Sequence, residues 1–540
     1  MVRAMTVLGV LLAIAGAQTE RWVYRYDGPR HADDAACSVV YGPDGYIYVA
    51  GQTASESTWS AFTIISLTVN GDERWVYRCH QGVSSYGGSL VYGDDGNLYA
   101  AGCIGESTAR GGWNFALFSV ATSGTERWVY EYNGAGNGAD GANAVIYGRD
   151  GNIYAAGYTV ENRSQPDFTV VSTTAEGVRR WMTHRNGDAN LYNYAYCLVQ
   201  GADDNIYVGG ETWNYNSGSD YTIMSFLPDG GLNWIRTVDG SGGSDDRVTS
   251  IVWGADGNLY VAGRTTDPYT SSAFSVLSFA PSDTLRWNYR YWHGARSYND
   301  GAWTVTYGAD SNVYAAGSVG YAAFDFAVMG LTSHGGQRWV YQYDDSNNAL
   351  SNASDIVLGA DGNIYASGFV SCCSLSGDWD FVVVSLDTGG ARRWIYRFNG
   401  PADSTDEAYA LIYGTDGNVY CAGYSTGNGT GDDFTVISLD PRMAVNELDR
   451  ARRNMKLDIA LRSIQSRSLT YAVTLSGPAR VSLSLRDLQG RKLASWQVAA
   501  PEGTSQHAKN LPDLSAGVYF LNAEAPGKGA RVSRKLIVLE

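Results

Sequence analysis

Carboxylates, indoles and thiols are the side chains of this 540-residue chain that could do chemistry, and most of them recur at fixed intervals. Eight aspartates, Asp44, Asp95, Asp150, Asp203, Asp256, Asp310, Asp361 and Asp416, each stand in a copy of a segment like YGRDGNIYAAG, which begins at Tyr147. Only one carboxylate per copy is regular, and the neighbouring Gly and Asn tolerate the positive φ of tight hairpins, so these aspartates read as turn residues rather than calcium ligands. Eight tryptophans, Trp22, Trp75, Trp128, Trp181, Trp234, Trp287, Trp339 and Trp394, mark RWVYRY-like segments and read as buried structural anchors. The histidines share no metal-ligand spacing, and the chain holds no GxSxG elbow or phosphate-binding loop. Neither a catalytic residue nor a metal or other cofactor is therefore expected. The seven cysteines, Cys37, Cys79, Cys103, Cys197, Cys372, Cys373 and Cys421, follow no repeat and read as isolated buried thiols, their odd number leaving at least one unpaired.

The elements that position these residues follow from a third recurring segment, DFTVISL-like, at Phe62, Phe115, Phe168, Tyr221, Phe274, Phe326, Phe381 and Phe434. Each unit then reads as four short strands joined by tight turns, which 65 glycines and 38 tyrosines suit better than helices. The fold class is all-β: an eight-bladed β-propeller of four-stranded blades over residues 18–440, followed by a small immunoglobulin-like β-sandwich. The phase of the repeat predicts closure. The mature chain is expected to begin with a Trp-bearing strand (Arg21 to Tyr26), whereas the last copy stops at Leu439 without one. If the first strand completes the blade begun at Asp406, no sheet edge is left open. Units such as DEAYALIYGTDGNVYCAGYSTG from Asp406 resemble the SBBP-type β-propeller repeats of exported bacterial proteins, a resemblance that covers residues 21–440 and implies a fold, not an activity.

Function is expected on the face with long loops. Links from second to third strand and from fourth to next first strand are long and variable, and propeller geometry puts both on one face. They bring Trp59, Trp113, Trp213, Trp292 and Trp379, with Tyr215 nearby, as candidates for stacking on a sugar or anchoring a protein. A ring of small polar residues (Asp34, Ser85, Asp140, Asn193, Asp246, Asp300, Ser351 and Asp406) precedes the innermost strands. These could line the channel mouth and hold a metal, but the expected role is to cap backbone amides. The leading function is recognition of a glycan or protein. An architectural surface role without a ligand is the first alternative. Enzyme activity is the last: SLDTGGARRW, ending at Trp394, resembles a docking repeat of eight-bladed quinoprotein dehydrogenases, some of which place a vicinal disulfide, as Cys372-Cys373 could form, beside the quinone.

The two ends carry addresses. Arg3, the apolar run Met5 to Ile14 and Ala15-Gly16-Ala17 read as a signal peptide, residues 1–17, cleaved between Ala17 and Gln18; the run is too short to span a bilayer. No other long apolar run exists, so no transmembrane segment is expected in the mature chain. Residues 441–454 read as a charged linker and 455–540 as the sandwich. Residues 441–540 hold 16 Lys+Arg against 8 Asp+Glu, which leaves −24 on the first 440 residues of a chain whose net charge is −16. A domain that acidic repels phosphate backbones, so nucleic acid is not an expected partner. The C-terminal pattern, with Gly490-Arg491 after a strand, Gly517-Val518-Tyr519 opening another and Arg534-Lys535 in the last, resembles the type A sorting domain of type IX secretion cargo. That resemblance implies outer-membrane secretion machinery as a partner and a secreted or outer-surface location.

Overall fold

The computed structural model describes residues 17–538 except 56–59, 83, 106–111, 162–164, 241–245, 267–271, 293–299, 321–323, 344–349, 372–378, 446–456, 466–467, 476–478, 488–490, 501–502, 513, 516 and 525–530. Residues 1–16 of the expected signal peptide (residues 1–17), Cys372 and Cys373 lie outside the described residues. The chain divides into two compact units, one of Gln18–Met443 and one holding the C-terminal residues from Ala444.

The larger unit consists of eight four-stranded antiparallel sheets, each a blade. Blade 1 runs through Ala35–Tyr41, Ile47–Thr53, Ala61–Leu67 and Glu73–Arg78. Blade 8 combines Asp406–Tyr413, Val419–Gly427 and Gly431–Val445 with the N-terminal strand Ala17–Tyr26, which supplies its outer edge. Side chains fix that strand in place: Arg21 donates to the Ser438 hydroxyl at 2.8 Å, Arg25 pairs with Asp433 at 2.6 Å, and Glu20 accepts from the Tyr396 hydroxyl at 2.6 Å. Blades 8 and 1 share one apolar cluster, in which Ala36, Val39, Ile65 and Leu67 meet Tyr420, Phe434 and Val436, so the ring closes on itself. The last strand of blade 8 runs to Val445, five residues into the stretch that reads as linker.

The recurring aspartates are turn residues. Asp44 accepts the Tyr46 amide at 3.2 Å and the Tyr48 hydroxyl at 2.6 Å, and Arg74 reaches Tyr48 and Ser66 from the fourth strand. Asp95, Asp150, Asp256 and Asp361 repeat both bonds in their own blades.

The tryptophans differ from the buried anchors expected: most are half-buried and join one blade to the next. The Trp181 indole donates to the Pro228 carbonyl of blade 4 at 2.9 Å and stacks 6.3 Å from Phe226. The same bond runs from Trp22 to Val69, Trp75 to Thr122 and Trp128 to Ala175. Only Trp394, at 2 % exposure, is buried outright. Because a partly exposed indole leaves a cavity open to water, Trp181→Ala is expected to cost about 2–3 kcal/mol, below the range for a fully buried Trp. Urea unfolding of the variant measures it; a loss under about 1 kcal/mol would remove the inter-blade role.

The C-terminal unit is a seven-stranded sandwich. One sheet orders Leu457–Gln465, Ser468–Leu475 and Gly503–Asn510; the other orders Lys492–Ala500, Ala479–Asp487, Gly517–Glu524 and Arg531–Val538. Alternation puts Leu469, Tyr471 and Val473 from the first sheet against Val481, Leu483, Leu485 and Leu521 from the second.

Candidate functional site at the loop-side mouth of the propeller

The long-loop face is held together by the ring of small polar residues. All eight are fully buried. Asp140 accepts the Gly134 amide from the incoming loop and the Val160 amide from the end of the second strand, each at 2.6 Å. Asp34 does the same for Gly28 and Ala54, Asp246 for Gly240 and Thr266, and Asn193 for Gly187 and Trp213. Each clip therefore ties the fourth-to-first link to the second-to-third link, which places both loop sets at one end. Lining a channel mouth is ruled out for these residues by their burial; the capping role stands for Asp34, Asp140, Asn193 and Asp246, and Ser85 accepts the Phe62 amide instead, whereas the Ser351 hydroxyl is buried without a hydrogen-bond partner.

Burial pushes the clip carboxyls up, to about 7 for Asp34 and Asp406 and about 6 for Asp140, although two backbone amides act against it. The neighbours are mostly acidic: Asp27 and Asp433 face Asp34, Glu161 faces Asp140, and Asp380 and Arg25 face Asp406. A carboxyl whose pKa rises on folding binds a proton more tightly when folded, so its stabilisation is complete below about pH 4 and disappears as pH rises through 6–7. The denaturation midpoint is expected to be higher at pH 5 than at pH 8. Asp140→Asn, which copies the amide that Asn193 uses for the same clip, is expected to flatten that slope; an unchanged slope in the variant would show that other groups set it.

Inside the clips lies a collar that the strand register creates. In every blade the first strand carries a β-bulge against the second, and the bulged residues are Cys37, Gly88, Asn143, Tyr196, Thr249, Trp303, Ser354 and Tyr409. A glycine of the second strand causes it: a Cβ on Gly51 would lie 2.0 Å from the Ala35 carbonyl, and on Gly102 1.9 Å from that of Tyr86. Only glycine admits this approach, so the first strand must bulge there. The bulge takes its residue out of the strand's regular alternation. At Gly88 a side chain would meet nothing within 4 Å, and the Asn143 amide reaches the next blade's Ala195 carbonyl at 2.8 Å, as the Thr249 hydroxyl reaches that of Ala302.

The framework of the collar repeats, whereas its side chains do not. On blade 4, Tyr192, Tyr194 and Tyr196 form a stacked ladder with centroids 6.4 and 5.9 Å apart; Tyr158 packs edge-on to Tyr194 at 5.0 Å, and Glu211 accepts the Tyr196 hydroxyl at 2.6 Å. On blades 5 and 6, Arg247 lies 5.4 Å over the Trp303 ring. On blade 8, opposite blade 4, Tyr409 and Tyr424 pack at 5.7 Å beside the buried Glu407. Tyr192 and Tyr409 stay open, at 45 % and 39 % exposure. Apolar faces with bonded hydroxyls and a few fixed charges can hold a polyhydroxylated or peptidic ligand, stacking supplying area and the charges direction.

The loop aromatics divide. Tyr215, 76 % exposed, and Trp292, 50 % exposed, project from the face. Trp113, Trp213 and Trp379 are not on loops: they lie in the strands Trp113–Ala121, Ile206–Asn214 and Trp379–Leu386 and are half-buried. Trp113 packs on Tyr86 at 4.8 Å and Trp379 stacks on Phe369 at 4.6 Å, so these indoles fill space within their own blades. Trp59 lies outside the described residues. The collar residues escaped sequence reasoning; the signal that could have found them is a position that varies beside the glycine present in every copy. Among the described cysteines none is bonded to another, and burial raises the Cys37 and Cys103 thiols to about 11.

In the C-terminal unit Gly517 opens a strand, the buried Tyr519 donates to the Ser515 carbonyl at 2.8 Å, and Arg534 and Lys535 lie in the last strand. Arg491 pairs with Asp487 at 2.7 Å across a hairpin, and Gly490 lies outside the described residues.

No curated protein matches the chain. Among solved structures it is similar to a mutant puromycin hydrolase complexed with PGG (13 % identity, TM-score 0.42, 74 % of this chain and 59 % of that one), so it spans under two thirds of that protein's length. It is also similar to the β-propeller domain of the Trilobed protease from Pyrococcus furiosus (9 %, 0.38, 66 % and 96 %) and to PorZ, a surface component of the type-IX secretion system of Porphyromonas gingivalis (12 %, 0.25, 94 % and 81 %). Residues 468–539 match the family described as the secretion system C-terminal sorting domain. An all-β propeller followed by that tail makes this a secreted, outer-surface protein, carrying at residues 468–539 a C-terminal sorting domain of the type IX secretion system.

Proposed function

We propose that the propeller is a cell-surface recognition module, working by binding rather than catalysis, that takes a glycan or protein ligand at its loop-side mouth. One observation carries this reading: eight backbone-equivalent bulges present eight positions filled by seven different residue types, three of the positions holding the large aromatics Tyr196, Trp303 and Tyr409, beside a glycine that never changes. A scaffold that needed only to fill its axis would repeat there as it does elsewhere. The Asp34 and Asp140 carboxylates are occupied by backbone amides on both oxygens, which supports binding over chemistry at those positions. The repeat's likeness to SBBP-type units and the sorting tail agree with display outside the cell.

A glycan array, followed by titration calorimetry on the best hit, tests this. A saturable ligand is expected, with Tyr196→Ala plus Tyr409→Ala weakening it at least tenfold, about 1.4 kcal/mol or more, at an unchanged melting midpoint. Absence of any saturable glycan or protein ligand would favour the architectural role, and full binding by the double variant would move the site off the collar.

A further inference from the structure

The first strands of blades 5 and 6, Arg247–Trp253 and Gly301–Tyr307, bring a cation into the collar. Arg247 follows directly on the Asp246 clip and stands two residues before the bulged Thr249, a register position that Tyr194, Gly301 and Glu407 hold on blades 4, 6 and 8. It is the only Lys or Arg at that position in the eight blades. Its guanidinium lies over the Trp303 ring of blade 6, and its charge acts on the Tyr196 hydroxyl of blade 4, so Arg247 stands between two of the three large collar aromatics.

No acid among the described residues answers this charge. Arg247 makes no hydrogen bond or ion pair there, its Nε is buried without an acceptor, and so is the Trp303 indole nitrogen. Glu211 accepts the Tyr196 and Ser219 hydroxyls, each at 2.6 Å, and Asp246 is held in its clip. Arg264, which has a partner of its own, stands directly across the strand pair from Arg247, so a second positive charge shares that face of the sheet. Arg78 and Arg290 also have an unpartnered Nε, but both lie on fourth strands, at the outer edge of their blades. Gly301 leaves room beside the cation: a Cβ there would meet nothing closer than 3.7 Å, and what it would meet are Arg264 and Trp303.

We propose that the collar takes an acidic saccharide, with Arg247 holding its carboxylate and the aromatic side chains packing on its rings. The inference rests on the collar being the binding site and adds the chemical class of its ligand. A guanidinium is a planar fork of N–H donors that matches a carboxylate with two parallel bonds, and an aromatic face beneath it fixes the fork while leaving its edge to the ligand. The exposed rings of Tyr192 and Tyr409 favour a saccharide over an acidic peptide, because they offer apolar area for flat sugar faces beside the charge. With −24 on the first 440 residues the field of the whole propeller repels anions, so uptake depends on this local cation and not on overall charge.

The test titrates the mature chain by calorimetry with tetragalacturonate, a hyaluronan tetrasaccharide and sialyllactose, each beside its carboxyl methyl ester, and with hexaglutamate. At least one acidic saccharide is expected to bind saturably, and its ester about tenfold or more weakly. Arg247→Gln is expected to weaken the acid by about tenfold or more and to leave the ester unchanged, a split that a merely structural role would not produce. Tyr196→Ala plus Tyr409→Ala is expected to weaken acid and ester alike. The proposal is overturned, with the collar reading left standing, if acid and ester bind equally, if Arg247→Gln binds the acid as tightly as the native chain, or if hexaglutamate binds better than every saccharide. Full binding of the acid by the double tyrosine variant overturns the collar reading and the proposal with it, as does a native chain that binds none of the probes and no glycan of the array. The comparison of acid with ester needs only the native chain, so it stays decisive should Arg247→Gln fail to fold.

Discussion

Removing residues 18–27 is expected to open the ring and to lower the stability of the propeller by about 5 kcal/mol or more, the largest effect of any short deletion. The strand contributes the outer edge of blade 8 and, with it, the Arg25 partner of Asp433, a carboxylate only 5 % exposed. Stripping one member from such a buried pair alone costs about 3–5 kcal/mol, because the other charge is left unpaired. The Trp22 bond to Val69 and the Arg21 bond to Ser438 go as well, so the junction with blade 1 loosens together with the sheet edge. Urea unfolding followed by tryptophan fluorescence is expected to show a lower midpoint and a broader transition. A synthetic peptide of residues 17–27, added in excess, is expected to restore the midpoint in a concentration-dependent way. An unchanged midpoint in the truncated protein would refute closure by this strand.

The second large effect concerns location. Deleting Met455 to Glu540 in a host with the type IX system is expected to reduce the surface-exposed fraction to background while leaving a folded propeller in the periplasm. Folding should survive, because the apolar cores of the two units are separate: the sandwich packs Leu469, Tyr471 and Val481 among themselves, and each propeller cluster is built from residues before position 440. Grafting 455–540 onto another exported protein is expected to send that protein to the surface. Surface labelling with an impermeant biotin reagent reads both outcomes; wild-type display of the truncated chain would show that the tail is not the address.

Much of this architecture was legible in the residues. The eightfold recurrence of the Asp-Gly turn and the Trp strand defined the blades, and the Trp-bearing segment at the very start, matched to a last copy lacking one, located the closing strand. The Trp anchors were read as buried because spacing identifies a structural residue but not the depth at which it lies; in the ring the fourth strand is outermost, so its indoles cover the junction between blades and keep one edge in water. The loop aromatics were misplaced for a related reason: Trp113 and Trp379 continue hairpins that run beyond the repeat, where sequence variability concealed regular pairing.

What the sequence determined by itself is the set of local interactions that repeat: two-residue alternation, hairpin turns, the glycine beside each bulge, the terminal sorting strands. Only the tertiary structure decided which side chains meet. Alternation assigns a strand residue to one face or the other, but a bulge resets the alternation at Tyr196, Trp303 and Tyr409, where a carbonyl approaches a glycine on the neighbouring strand. The clips join amides 26 positions apart. Contacts across such distances depend on how the ring is wound, and no local pattern records them.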